Sequence, residues 1–329
     1  MHALFLTTRV DRPSHRFRVE QLLPCWTAAG HTFEICVLPR SSLVRMWDYR
    51  RWSRYDLVFV QQRTFSSLEL GWLRKNVKRL VFDVDDAVMF KPDGSADPRR
   101  QQRFAAMVHS ADVVICGNRY LAEQSAPHNS QVTIIPTAVD TDRFHPRLRV
   151  APDDSNRALT IGWTGSRSTA PYLNPLMPVI GQLPADQVCV KLIADKLDGL
   201  DLSPLGNVPC EFVKWTSANE IPETATFDIG LMPLPDTPFT RGKCGCKALQ
   251  YMALGIPAIV SPVGVNREII EHGVNGLFAT TPNEWRTAFE QLLSDPALRQ
   301  RLAAAGRKTV EASFSLATQG RRVVQLLAG

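Results

Sequence analysis

The chain has 329 residues, 44% of them hydrophobic and 21% charged, with a formal net charge of +6 and a sequence pI near 9.0. That length exceeds one ordinary core and predicts two domains, and the composition excludes a disordered or fibrous chain. The positive balance points to anionic partners such as phosphorylated ligands or an anionic membrane surface. Nucleic acid is not expected, because no recognition helix or aromatic-interleaved basic motif accompanies the charge.

In chain order, "MHALFLTTRV" reads as a first strand rather than a signal peptide. No apolar run approaches the roughly 18 to 20 residues that span a bilayer. Seven cysteines without paired CxxC spacings fit reduced thiols. The expected location is cytoplasmic, with any membrane association peripheral and on the inner face.

After the first strand, "RFRVEQLLPCWTAAGH" has helical period, with Val19, Leu22, Leu23 and Trp26 on one face and Gly30 where a helix would end. The runs "FEICVLP", "LVFVQQ", "RLVFDVD", "DVVICGN" and "VTIIPT" read as buried strands separated by helical stretches. This alternation predicts a parallel sheet covered on both faces. The polar stretch at 140–158 is the expected linker. Beyond it the alternation restarts with "LTIGWTG", a helix near 171–183, "VCVKLIA", "CEFVKW", "FDIGLMPL", a helix at 247–254, "AIVS" and "GLFAT". The tail from Pro282 reads as helical, with Asp295 and Pro296 fitting a helix start. The predicted fold is α/β, two doubly wound Rossmann-like domains facing across a cleft and divided as 1–150 and 151–329. The last helix is a candidate to pack back on the first domain.

Ligands of open parallel sheets bind beyond the carboxyl ends of strands. In "FTRGKCGCKALQYMALGIPAIVSPVGVNREIIEHGVNGLF", Gly242, Lys243 and Gly245 precede a helix that Gly255 and Pro257 end. Glycines let backbone amides approach a diphosphate, and lysine and the helix amino terminus add positive potential. This is no P-loop: Cys244 follows the lysine and Thr237 stands at the first glycine position. Cys244 and Cys246 lack the further ligands of a zinc site and read as small thiols. Lys247 is either a ligand contact or a surface charge.

Met252, Ala253, Gly255, Pro257, Gly264, Glu268, Gly273, Asn275 and Gly276 stand in the order of a known signature. The stretch resembles the retaining GT-B glycosyltransferases of the family-4, group 1 type. "ADVVICGNRYLAE" and "VTIIPTAVDTDRFHP" are similar to further segments of that family. The resemblance implies transfer of a sugar from a nucleotide-diphosphate-sugar to an acceptor hydroxyl of a glycan, lipid-linked or polysaccharide precursor. It also implies retention of configuration and no cofactor or obligatory metal. A non-catalytic nucleotide-sugar-binding subunit, or an epimerase on the same fold, is the alternative. The departures are specific. Gly242 and Gln250 stand where the family has its E-x7-E glutamates, and Gly165, Ser166 and then Arg167 replace the usual Gly-Arg.

By that resemblance, Gly165, Ser166, Arg167, Lys243, Gly245, Gly264, Val265 and Asn266 are expected at the donor diphosphate and sugar, with Arg167 and Lys243 neutralising charge. Gln250 and Glu268 are expected at the ribose. Trp215 is read either as a stacking partner of the base or as a core residue. In "RLVFDVDDAVMF", Asp85 or Asp86 takes the place of the family's histidine near the reacting carbon, or else caps the following turn. The spacing of Asp83 and Asp85 also matches a GT-A metal motif, but in the half of the chain opposite the expected donor domain. His109 lies in an apolar helix context and reads as structural. In "TTRVDRPSHRFRVEQLL", His15, Arg16 and Arg18 are candidates to meet an anionic acceptor or phosphate, or are helix-surface charge.

Overall fold

The computed structural model describes residues 1–10, 12–149 and 157–329. In chain order it forms β1 (His2–Thr7), α1 (Pro13–Arg18), α2 (Leu23–Ala28), β2 (Thr32–Val37), α3 (Ser42–Tyr49), β3 (Leu57–Gln61) and α4 (Ser67–Asn76). There follow β4 (Leu80–Val84), α5 (Pro98–Ser110), β5 (Val113–Cys116), α6 (Arg119–Ser125), β6 (Val132–Ile134), β7 (Leu159–Thr164), α7 (Met177–Ile180), β8 (Val188–Ala194) and β9 (Cys210–Lys214). The remainder is α8 (Glu220–Thr224), β10 (Ile229–Met232), α9 (Pro238–Arg241), α10 (Cys246–Ala253), β11 (Ala258–Val260), α11 (Asn266–Ile269), β12 (Leu277–Phe278), α12 (Pro282–Ser294), α13 (Pro296–Thr309) and α14 (Leu316–Ala328).

Contacts divide the chain into two units. The first is Met1–Ala138 with Asp236–Cys244 and Phe314–Gly329; the second is Val139–Pro235 with Gly245–Ser313. The boundary expected between residues 150 and 151 lies outside the described residues.

The first unit is a parallel six-stranded sheet in the order β2-β1-β3-β4-β5-β6. Alternation along its strands supplies two cores. Leu4, Leu6, Val58, Val60, Leu80 and Phe82 point into one. Ala3, Phe5, Leu57, Phe59 and Val81 enter the other, with Val19, Leu22, Leu23 and Trp26 packed over them. Burial on both faces is why β3, β4 and β5 read as unbroken apolar runs.

The second unit has the order β12-β11-β10-β7-β8-β9, again parallel. Read from β7 outward, this is the doubly wound arrangement whose direction of progress reverses between β7 and β10, the place where such sheets leave a ligand crevice. Its core gathers Ile161, Trp163, Val190, Leu192, Leu231 and Phe289.

Two expected helices are broken. The run from Arg16 to His31 divides into α1, a 3-10 turn at Glu20–Leu22 and α2, with Val19 at φ −127° and Pro24 in the first turn of α2. The segment near 171–183 is a 3-10 stretch, Ala170–Leu176, followed by the short α7. Pro24 in the first segment, and Pro171, Pro175 and Pro178 in the second, each remove a backbone donor, so neither sustains one α-helical ladder. Asp295 does cap α13, accepting from the Leu298 amide at 2.9 Å.

Candidate functional site

In the first unit, three adjacent strand ends converge. Register sets Gln61 beside Asp83 and Val84 beside Cys116, so the residues just past β3, β4 and β5 are neighbours. Asp83 is buried, 1% exposed, and meets the Arg18 guanidinium in a forked ion pair whose Nε–Oδ2 arm is 3.2 Å. Arg18 also donates to the Ile135 carbonyl at 2.7 Å. Burial opposes the Arg18 charge, and Asp83 more than offsets it, so its pKa lies above the usual arginine range.

Asp85 is half-buried beyond Asp83. Burial, then the charge of Asp83, pushes its carboxyl up to about 7, against the opposing pull of Arg18. Gln62 donates its side-chain amide to Asp85 Oδ1. Gln62 is also the one non-glycine residue at positive φ (55°) among the described residues, so backbone strain is spent at the point where its amide reaches the carboxyl.

Asp86 is ion-paired with Lys243, whose Nζ lies 3.1 Å from both carboxylate oxygens. Lys243 arrives on the segment Asp236–Cys244, which belongs to the first unit. A Thr237–Thr240 capping box starts α9 there. Asn118, just past β5, donates to the carbonyls of Lys243 at 3.0 Å and Arg241 at 3.3 Å. The Cys244 thiol donates to the Asp85 carbonyl at 3.2 Å. Burial, then Asp85, raises that thiol well above the ordinary cysteine range, which removes it as a thiolate nucleophile or ligand at neutral pH. Fit is tight: a Cβ on Gly242 would sit 2.5 Å from the Ala87 Cβ, and one on Gly117 would sit 2.3 Å from the Cys244 sulfur.

These placements correct part of the sequence reading. Arg18, expected to meet an external anion, is 4% exposed and committed to Asp83. His15 is 2% exposed, its Nδ1 has no partner among the described residues, and burial lowers its pKa toward the neutral imidazole. Arg16 is half-buried beside the Phe17 ring, 5.5 Å from its centroid. The trio is therefore not one basic surface.

In the second unit, Gly165, Ser166 and Arg167 follow β7 at the switch point. Gly165 packs where any Cβ would strike the Trp163 ring at 2.2 Å. The Ser166 amide donates to Thr169 Oγ1 and the Arg167 amide to Asp195 Oδ1, at 3.2 and 2.8 Å. The Arg167 guanidinium is exposed, 3.7 Å from Asp198. Helix α10 starts from Gly245 at φ +69°. It is fastened by Tyr251, whose hydroxyl accepts from the Thr164 amide at 3.0 Å and donates to the Leu231 carbonyl at 3.3 Å. Lys247, in its first turn, holds Nζ 5.8 Å from the Trp163 ring centroid. Arg167 and Lys247 thus flank the same strand end, a pairing that the sequence suggested only as one option for Lys247.

Gly264, at φ +53°, turns the chain from β11 toward α11. Val265 is buried, Asn266 is buried and donates to the Ser261 carbonyl at 2.9 Å, and Glu268 is exposed. Gln250 is 3% exposed and donates to Glu220 at 3.2 Å. Trp215 is half-buried just past β9, its amide bonded to the Ala194 carbonyl at 2.8 Å. Several signature residues are structural: Met252 is in the core, and Asn275 receives the Glu271 amide and donates to the Ile269 carbonyl. No helix among the described residues is long and apolar enough to cross a membrane.

Sequence reasoning missed Gln62 and the packing of Asp236–Cys244. The polar pair Gln61-Gln62 closing the apolar run of β3 was the available signal for the first.

Residues 226–309 match the family model "Glycosyl transferases group 1". A GDP-mannose-dependent alpha-(1-6)-phosphatidylinositol monomannoside mannosyltransferase of Mycolicibacterium smegmatis is 27% identical over 249 residues, 67% of this chain and 63% of that protein. An uncharacterized glycosyltransferase of Methanocaldococcus jannaschii is 33% identical over 90 residues, 27% of this chain and 22% of that protein. The chain therefore spans less than two thirds of the length of either relative. Among solved structures, sucrose-phosphate synthase from Thermosynechococcus elongatus superposes with a TM-score of 0.80 at 17% identity, covering 99% of this chain and 98% of that one. HepE of Anabaena, in complex with UDP-glucose, gives a TM-score of 0.74 at 16% identity, covering 100% and 99%. Residues 226–309 thus resemble the glycosyl transferases group 1, and the two parallel-sheet units share the GT-B fold of these solved structures.

Proposed function

We propose that the chain is a glycosyltransferase that moves a sugar from a nucleotide-diphosphate-sugar to an acceptor hydroxyl. The observation that carries this reading lies in the second unit: Arg167 and Lys247 flank the end of β7, where the order of strands reverses and α10 presents its amino terminus. Cations, a helix amino terminus and glycine turns together favour a diphosphate. We assign Gly165, Ser166, Arg167, Lys247, Gly245 and the Gly264–Val265–Asn266 turn to the donor, with Glu268 and Trp215 as candidates for ribose and base. Gln250 would reach a ribose only by giving up Glu220. Lys243 is left out of the donor set because Asp86 already holds it. The relatives agree with a nucleotide-sugar donor: one is named as GDP-mannose-dependent and another is solved with UDP-glucose.

In the first unit, Asp85 is the candidate for orienting an acceptor hydroxyl or stabilising positive charge on the sugar, since its carboxyl gains and loses a proton near neutral pH. Retention of configuration, independence of metal, a cytoplasmic setting and a glycan or lipid-linked acceptor complete the proposal.

A thermal-shift screen with UDP, GDP, ADP and their sugars tests it first. A ligand at 100 times its Kd stabilises by about 2.7 kcal/mol, so one nucleotide should stand out. Transfer assays with the sugars of that nucleotide follow. Binding without any turnover would favour a non-catalytic subunit, a reading that the missing E-x7-E glutamates support. Interconversion of donor sugars without release of nucleotide would favour an epimerase.

A further inference from the structure

Helices α3 and α4 of the first unit turn outward a face that carries none of the residues assigned to sugar transfer. Their inner sides are locked by a buried polar cluster. Arg45 donates to both Glu69 carboxylate oxygens, at 2.5 and 3.0 Å, and Tyr49 adds its hydroxyl at 2.6 Å. That fixes the rotation of both helices and leaves five large apolar side chains in solvent. Leu43, Val44 and Trp47 on α3 are 77, 51 and 63% exposed, and Leu68 and Trp72 on α4 are 82 and 40% exposed. The Arg50 guanidinium lies 5.4 Å from the Trp47 ring and 5.8 Å from the Trp72 ring, so the residues form one patch.

The fully exposed charges on and beside these helices are positive. Arg40, Arg50, Arg51 and Lys75 are exposed, whereas the carboxylates of the two segments, Asp48 and Glu69, are half-buried and buried. We propose that this face docks on an anionic lipid bilayer, with the two tryptophans and the leucines entering the interface and the cations meeting headgroups. Indoles and aliphatic side chains ringed by arginine and lysine are the composition that lies in a bilayer interface. A second copy of the chain would set like charges against one another, and a protein partner ordinarily offers a rim of mixed sign. A continuous anionic surface answers the whole rim.

The test is flotation of the full chain with vesicles of phosphatidylcholine alone and of phosphatidylcholine with phosphatidylglycerol in equal proportions. Capture by the mixed vesicles, weakened as salt is raised to about 0.5 M, is expected. Leu43→Ser/Trp47→Ser/Leu68→Ser should lower partitioning about tenfold or more. Arg50→Gln/Arg51→Gln/Lys75→Gln should lower it about a hundredfold, at about fivefold per cation, and flatten the salt dependence. Both variants change exposed side chains, so an unchanged thermal transition verifies the fold. No capture of the native chain, or capture that neither variant alters, overturns the proposal. So does sedimentation showing a native dimer that the first variant merely dissociates. Because no nucleotide sugar is needed, the outcome is separate from that for sugar transfer.

Discussion

Replacing Asp85 by asparagine removes a carboxyl that the fold holds at an energetic cost while keeping an acceptor for Gln62. Burial, then Asp83, raises that carboxyl from the ordinary 3.8 to about 7. Below about pH 4 it is protonated in the folded and unfolded chains alike, and it contributes nothing to pH dependence. Between about pH 4 and 7 the unfolded chain releases this proton while the folded chain keeps it, so stability falls as pH rises, and above 7 the full cost is present. Three pH units at about 1.36 kcal/mol each give about 4 kcal/mol. Water reaching the half-buried side chain should reduce the expressed effect to about 2 kcal/mol. Urea midpoints for both chains at about pH 4.5 and 8 measure it. The native chain should lose stability over that range and Asp85→Asn should lose less by about that amount. Parallel pH dependence of the two would refute the placement of Asp85 among acids and the role proposed for it.

Three further outcomes follow from the same geometry. Arg18→Met leaves Asp83 buried without its partner and should cost about 3–5 kcal/mol in urea denaturation, with Arg18→Met/Asp83→Leu recovering much of the loss. Gly242→Glu, which restores a carboxylate of the E-x7-E pattern, should destabilise by about 1–3 kcal/mol and not raise activity, because its Cβ meets Ala87 at 2.5 Å. Arg167→Gln should weaken binding of the stabilising nucleotide about tenfold by calorimetry, whereas Lys243→Ala should change it less than about twofold. A large loss with Lys243→Ala would return that lysine to the donor set.

Much of the fold was legible because its determinants are local. Runs such as "LVFVQQ" and "DVVICGN" announce strands buried on both faces. The positions of Gly255, Pro257, Asp295 and Pro296 announce helix ends through backbone geometry that few other residues supply. The strand-end glycines of the second unit were found in the same way. Even the broken helices carried their cause in Pro24, Pro171, Pro175 and Pro178, although apolar period outweighed it in the reading.

What the sequence could not disclose depends on partners distant along the chain. Arg18 looks like a surface cation until Asp83, 65 positions away, is brought beneath it. Lys243 looks like a phosphate ligand until Asp236–Cys244 packs with the first unit and Asp86 takes its charge. Gln62 gains its meaning only from register, which puts its strand end beside that of Asp85. The sequence by itself determined the order of strands and helical segments along the chain, because propensity and period act over a few residues. Only tertiary structure decided which charges are spent inside the fold and which remain for ligands, because Coulomb pairing and desolvation depend on distance in space rather than along the chain.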